Sequence, residues 1–216
     1  EAKGWLAITN IAMDERSAEA MDAAVKVLEK CAPEMGFALA DNHKSYKKYT
    51  MMRDVCVAQG QPADHADIVS RRQQGYNTTF YVCCGPLYPN TFTYSNPFEA
   101  ELLGWYGLSC DYDGMLRWAY NSWPENPQYD SRYGNWSSAD TYLVYPYNRS
   151  SIRFERLIDG IEVAEKVRAL RKAGVDTSEV EAALDKIRAT NLNDSQQPWQ
   201  QIVAEAREAL NIVSRK

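Results

Sequence analysis

Along the first half of the chain, apolar residues fall in short, nearly continuous runs separated by amphipathic segments. Trp5 to Met13 (WLAITNIAM) is apolar and β-branched before it ends in charge, and it reads as a buried strand. Ser17 to Cys31 follows as a helix, with Met21, Ala24, Val25, Leu28 and Cys31 at helical spacing and Ser17 as N-cap. Gly36 to Ala40 and Val55 to Ala58 are the next strands, and Ala63 to Gln74 is a helix stopped by Gly75. Thr78 to Cys84 is predicted as a strand, Phe98 to Leu108 as a helix, and Met115 to Trp123 (MLRWAYNSW) as the last strand. A strand and helix alternation with apolar strands predicts an α/β protein whose parallel sheet is covered on both faces.

The pattern changes after Trp123. Pro124 to Asn148 is rich in Pro, Asn, Ser, Gly and Tyr without a period, and reads as a long ordered loop. Ser151 to Ala173 carries Leu157, Ile158, Ile161, Ala164 and Val167 on one helical face and closes at Gly174. Ser178 and Glu181 have the spacing of a capping box for a helix to about Ala189, and Trp199 to Val213 marks a third helix. The expected division is therefore residues 1–148, with the strands, and residues 149–216, a helical region.

In parallel α/β folds, chemistry gathers at the C-terminal ends of strands, where loops vary on a rigid base. Those ends here carry Asp14 and Glu15, Asp41 and Asn42, Gln59, Cys84 to Tyr88, and Asn121 to Trp123. No glycine-rich phosphate loop follows any strand, so no nucleotide cofactor is expected. The five cysteines include no CxxC pair, and only His43 and His65 could join them around a metal; no metal or other cofactor is expected. Cys83 and Cys84 are adjacent in an apolar run, and most of the cysteines read as small buried hydrophobes rather than a disulfide framework.

Composition narrows the partners. A net charge of −5 without a Lys/Arg stripe argues against nucleic acid, and no apolar run is long enough to span a bilayer. Of the 25 aromatic residues, 19 lie between Tyr76 and Tyr147. Rings clustered near strand ends suit a sugar, whose C–H face packs on them while its hydroxyls meet Asn, Asp or Gln at the rim. Rings that fill the core or cover loops are the alternative. The adjacent carboxylates Asp14 and Glu15 end the first strand, where a backbone bend can turn both toward one cavity. Two carboxyls in different environments serve glycoside cleavage, one protonated and one ionised; a solvated strand end favoured by the following helix dipole is the other reading.

The stretches GMLRWAYNSWP and YLVYPYNRSSIRFERLIDGIE resemble the C-terminal region of the glycoside hydrolase family 123 catalytic domain. The matching positions are Trp118 and Trp123, Tyr145 and Pro146, Ser151 and Arg153, and Asp159 to Glu162, while WLAITNIAMDER resembles the family's catalytic strand. The resemblance implies an eight-stranded barrel with the Asp-Glu pair on its fourth strand. The five strands found here would be the fourth to eighth: the C-terminal part of a TIM (β/α)8-like barrel, about five βα units, followed by a C-terminal helical region.

The resemblance also implies retaining, substrate-assisted hydrolysis of terminal β-linked N-acetylhexosamine, above all N-acetylgalactosamine. Asp14 would orient the substrate acetamide, and Glu15 would act as general acid and then base. Asn42, Tyr81, Tyr120, Asn121 and Trp123 are the candidate substrate contacts, Trp123 as a hydrophobic floor. Arg153 and Asp159 are expected to form a structural pair. The partners expected are a glycan substrate and either a second copy or the missing N-terminal half of a longer parent protein. The parent is expected outside the cytoplasm, periplasmic or secreted, although this chain carries no signal. A catalytically inactive carbohydrate-binding or structural fragment, and an interaction module with purely structural aromatics, stay open.

Overall fold

In the computed structural model, which describes residues 3–14, 16–60 and 63–215, the alternating rhythm of the chain folds as β1 (Asn10–Met13), α1 (Ala18–Cys31), β2 (Gly36–Ala40), β3 (Met52–Ala58), α2 (His65–Gln73), β4 (Asn77–Val82), α3 (Pro97–Ser109) and β5 (Gly114–Arg117). Three further helices follow: α4 (Ile152–Lys172), α5 (Ser178–Ala189) and α6 (Trp199–Val213). The strands form one sheet in sequential order, β1-β2-β3-β4-β5, and the β1–β2, β2–β3 and β3–β4 ladders are parallel. The result is the α/β class with added helices that the apolar pattern predicts. Two compact units are present, Glu1–Tyr81 with Tyr112–Leu116, and Val82–Asp111 with Arg117–Lys216.

In the first unit, Ser17 accepts a hydrogen bond from the Ala20 N–H at 3.3 Å and so satisfies one open donor of the first turn of α1. Met21, Val25 and Leu28 form the buried face of α1, one helical turn apart. On β2, Phe37 and Leu39 are buried on one side, and the smaller Ala38 and Ala40 alternate with them. Arg71 of α2 ties the starts of two strands together. Its guanidinium donates to the Met52 and Arg53 carbonyls, to the Asn77 carbonyl and to Thr78 Oγ1, and it lies against the rings of Tyr46 and Tyr76. Burial lowers its pKa, but the charge is spent on backbone carbonyls and serves the fold. At the same end of the sheet Asp54 accepts from Asn10 Nδ2 at 2.5 Å and from Asn77 Nδ2 at 2.7 Å.

The second unit is built around α3. Asn96 caps it and Glu99 reaches back to the Asn96 N–H at 2.8 Å, a complete capping box with Pro97 in the first turn. Most of α3 is buried, from Glu99 to Ser109, because α4, α5 and α6 all pack against it. Its closest approach is to α4, through glycine on both sides. A methyl group on Gly104 would lie 2.4 Å from the Gly160 carbonyl, and one on Gly160 would lie 2.7 Å from the Glu101 carbonyl. Backbone cannot yield there as a flexible side chain can. Gly104→Ala is therefore expected to lower stability by about 1–3 kcal/mol by forcing the two helices apart. Denaturant unfolding checks this, and an unchanged midpoint would contradict the close crossing.

Glu101, on the same helix, is buried and accepts from Trp105 Nε1 at 3.2 Å and from Arg207 of α6 at 2.8 Å. The long polar loop is held from beneath by Arg153, which is buried near the start of α4. It donates to the carbonyls of Thr91, Ala139 and Tyr142, and its guanidinium lies over the Tyr142 ring.

Several expectations are corrected. Trp5–Ile8 is a 3-10 turn and not part of a strand: Thr9 closes it with bonds to the Leu6 and Trp5 carbonyls, and Trp5 and Ile8 are exposed. The last strand stops at Arg117, and β4 stops at Val82, two residues short of Cys84. Arg153 does not pair with Asp159, which faces Arg156 one helical turn away at 2.7 Å. Ser178 and Glu181 form no capping box. Thr177 precedes the helix, and Glu181 is taken up by Arg171 at 2.7–2.8 Å. All five cysteines are free, and only Cys56 is buried, its thiol pushed up to about 11 by desolvation; Cys31 and Cys84 are exposed.

Candidate active site

In the first unit the strand ends carry a short polar set. Asp14 follows β1 directly and its side chain is exposed; Glu15 lies outside the described residues. At the end of β2, Asp41 is buried and accepts from the His43 and Ser45 N–H groups and from Ser45 Oγ, so it braces the turn and is not offered to a ligand. The next residue differs. Asn42 is exposed; its Oδ1 accepts from the Ala58 N–H at 2.8 Å and its Nδ2 approaches the Tyr81 hydroxyl at 3.4 Å. Side chains from the ends of β2 and β4 thus meet over the end of β3. Two of the expected contact residues, Asn42 and Tyr81, are brought together by sheet order alone.

The second unit has its own cluster, centred on a buried charge. Arg117 donates to the Val82 carbonyl at 2.6 Å, to the Asp140 carbonyl and to Asp140 Oδ1 at 2.6 Å; their side chains are 5% and 0% exposed. Burial lowers the pKa of Arg117, and the ion pair with Asp140 opposes that shift. Trp118 Nε1 also donates to Asp140 Oδ1, at 3.1 Å, which fixes the indole. Its ring meets that of Trp136, centroids 4.6 Å apart, and both indoles are partly exposed. The aromatic segment therefore presents at least one fixed, solvent-facing pair of rings.

The remaining expected contacts do not sit on a strand of the sheet. Residues 120–123 run against 141–144 in a short antiparallel pairing: Ser122 N–H donates to Thr141, Leu143 N–H donates to Tyr120, and Asn121 bridges Tyr142. Tyr120 is exposed and meets Phe154 edge to face at 5.7 Å. Asn121 is exposed, and Trp123 is half-buried with its Nε1 donating to the Val144 carbonyl at 2.7 Å. That bond leaves Trp123 only its ring for an apolar contact. By contrast, Tyr106, Tyr112 and Tyr142 are core residues, as the structural reading of the aromatics holds for them.

Sequence reasoning missed Asp140. It stands in a polar, aperiodic stretch (SSADTY) that reads as solvated loop, and no local pattern marks it as buried. Among the described residues no group of three or more His, Cys, Asp or Glu could hold a metal ion, and no helix is long and apolar enough to cross a membrane.

The family model of the glycoside hydrolase 123 catalytic domain matches residues 1–170. Among solved structures, the chain is similar to a family 123 glycoside hydrolase from Clostridium perfringens, studied for glycolipid glycan hydrolysis, with a TM-score of 0.83 and 26% sequence identity. The likeness covers 99% of this chain but 42% of that one. No curated protein matches the sequence.

Proposed function

Because the chain belongs to the glycoside hydrolase family 123 catalytic domain, we propose that it is part of a retaining glycosidase that removes terminal β-linked N-acetylhexosamine, above all N-acetylgalactosamine, from glycans. The observation that carries this is the family match over residues 1–170, which takes in the Asp14-Glu15 pair at the end of β1. The hydrolysis of glycolipid glycans by the similar clostridial protein supports a glycan as substrate. This chain spans less than half of that protein, so the activity is assigned to a longer parent. The sequential order of β1 to β5 supports reading the sheet as an arc of a (β/α)8-like barrel.

In the proposed mechanism, the acetamide oxygen of the substrate attacks its own anomeric carbon. Asp14 accepts a hydrogen bond from the acetamide N–H and turns the oxygen toward that carbon. Glu15 protonates the departing glycosidic oxygen. An oxazolinium intermediate forms as the glycosidic bond breaks, and Glu15, now ionised, takes a proton from the water that opens it with net retention. Asn42 and Tyr81 serve as polar contacts for the sugar, as do Tyr120 and Asn121, and Trp123 offers its ring.

The test compares two nitrophenyl glycosides on the full parent protein, the β-N-acetylgalactosaminide and the β-galactoside that bears a hydroxyl in place of the acetamide. Loss of the internal nucleophile is expected to lower kcat/KM by at least about 10²-fold. Comparable turnover of both would rule out substrate assistance.

A further inference from the structure

Beyond the end of β4 lie two cysteines that the glycosidase reading does not use. Cys83 is half-buried and Cys84 exposed, both are free, and their sulfur atoms are 3.8 Å apart. The local backbone is anchored around them. Asn90, fully buried, donates from Nδ2 to the Cys83 carbonyl and to the Pro86 carbonyl at 2.8 Å each, which holds the turn that follows in one shape. The Cys83 sulfur also lies 3.9 Å from the Gly85 carbonyl. Two thiols in contact on a pinned turn, one of them open to solvent, are a bidentate sulfur site and not two isolated side chains.

We propose that Cys83 and Cys84 form a vicinal dithiol site that reacts with small-molecule disulfides and closes reversibly to a ring disulfide at the end of β4. The sulfurs need to approach by somewhat under ~2 Å to reach bonding distance, a movement within the range of side-chain rotation. The chemistry balances with a disulfide RSSR as oxidant. One cysteine thiolate attacks RSSR, forming a mixed disulfide and releasing RS⁻. The second cysteine, as thiolate, attacks the protein-bound sulfur of the mixed disulfide, forms the Cys83–Cys84 bond and releases the second RS⁻. Two electrons pass from the dithiol to RSSR, and the two thiol protons leave with the released thiolates.

Two physical features set the behaviour of the site. Burial and the hydrogen bond with Cys83 push the Cys84 thiol up, with Asp140 nearby adding to the shift, so the exchange quickens as pH rises. Adjacent residues place their Cα atoms about 3.8 Å apart, below the usual disulfide span of roughly 4.4–6.8 Å. A ring closed under that constraint is strained, so a mild thiol reopens it.

The test uses the whole chain, reduced and then exposed to oxidised glutathione. Peptide mapping is expected to show the loss of two hydrogens in a single peptide carrying both Cys83 and Cys84, without retained glutathione, and dithiothreitol should restore it. Phenylarsine oxide, which needs two thiols to form its cyclic adduct, should bind in one equivalent, and Cys83→Ser or Cys84→Ser should each abolish that binding while Cys31→Ser does not. Stable glutathione adducts on either residue, a bond from either to another cysteine or between molecules, an absence of reaction, or arsenical binding that survives Cys84→Ser would each overturn the proposal. The serine variants keep nearly the same volume, and a retained unfolding midpoint separates loss of the thiol from loss of the fold.

Discussion

Glu15→Gln in the full parent protein is expected to lower kcat by about 10²–10⁴-fold on a β-N-acetylgalactosaminide with a sugar or alkyl leaving group. Glutamine retains the shape of the side chain but has no proton of suitable acidity to give the departing oxygen, which would otherwise leave as a strongly basic alkoxide. A nitrophenolate leaves without that help, so the first step on a nitrophenyl glycoside should suffer far less. The comparison of the two substrates therefore isolates the acid role. The same variant also lacks a base for the water that opens the intermediate, and with the activated substrate that second step becomes the slow one. A burst of nitrophenol followed by slow turnover is the expected record. Equal steady rates for the variant and the parent protein on both substrates would remove Glu15 from the mechanism.

The second large effect is structural. Asp140→Ala is expected to destabilise the protein by about 3–5 kcal/mol, because it strips the counter-charge from a guanidinium that is already withdrawn from water. Arg117 would still reach the Val82 and Asp140 carbonyls, but neutral oxygens do not compensate a full charge in that setting. Trp118 would lose its acceptor as well. Asp140→Asn preserves an acceptor for both donors and should cost less, and replacing Arg117 and Asp140 together by apolar residues should cost less than Asp140→Ala. Chemical unfolding of the four proteins separates these cases. A loss below about 1 kcal/mol for Asp140→Ala would mean that the pair is hydrated and not buried.

Where local rules suffice, the chain is legible. Ser17 and the spacing of Met21, Val25 and Leu28 define α1 without reference to anything distant, and β2 occupies the span from Gly36 to Ala40 that its apolar run predicts. Gly174, with φ of 74°, ends α4 because the chain there takes a left-handed turn that glycine adopts without strain. The meeting of Asn42 with Tyr81 follows from a global rule just as simple, since parallel strands in sequential order bring their C-terminal ends to one edge.

Legibility fails where a long-range partner decides. Trp5–Ile8 is as apolar as a strand, yet it curls into a turn, because hydrophobicity alone does not supply the neighbour that a strand must pair with. Residues 118–123 keep the composition of β5 but leave the sheet, and 120–123 pair with residues 141–144, a partner twenty residues on that no local signal announces. Arg153 and Asp159, expected as a structural pair, stand six residues apart on α4 and do not share a helical face. The carbonyls of a folded loop were the stronger claim on a buried guanidinium, and Asp159 was left to the nearer Arg156.

The glycine contact between α3 and α4 bears on how sequences of this kind are sorted. Asp159-Gly160-Ile161-Glu162 has the look of a catalytic signature, with two carboxylates and a glycine. Yet its glycine is the point where two helices touch backbone to backbone, and its first carboxylate answers a neighbouring arginine. A motif held by such a contact reports helix packing. Its presence in a sequence is evidence for the close helix crossing and carries no information about Asp14 and Glu15.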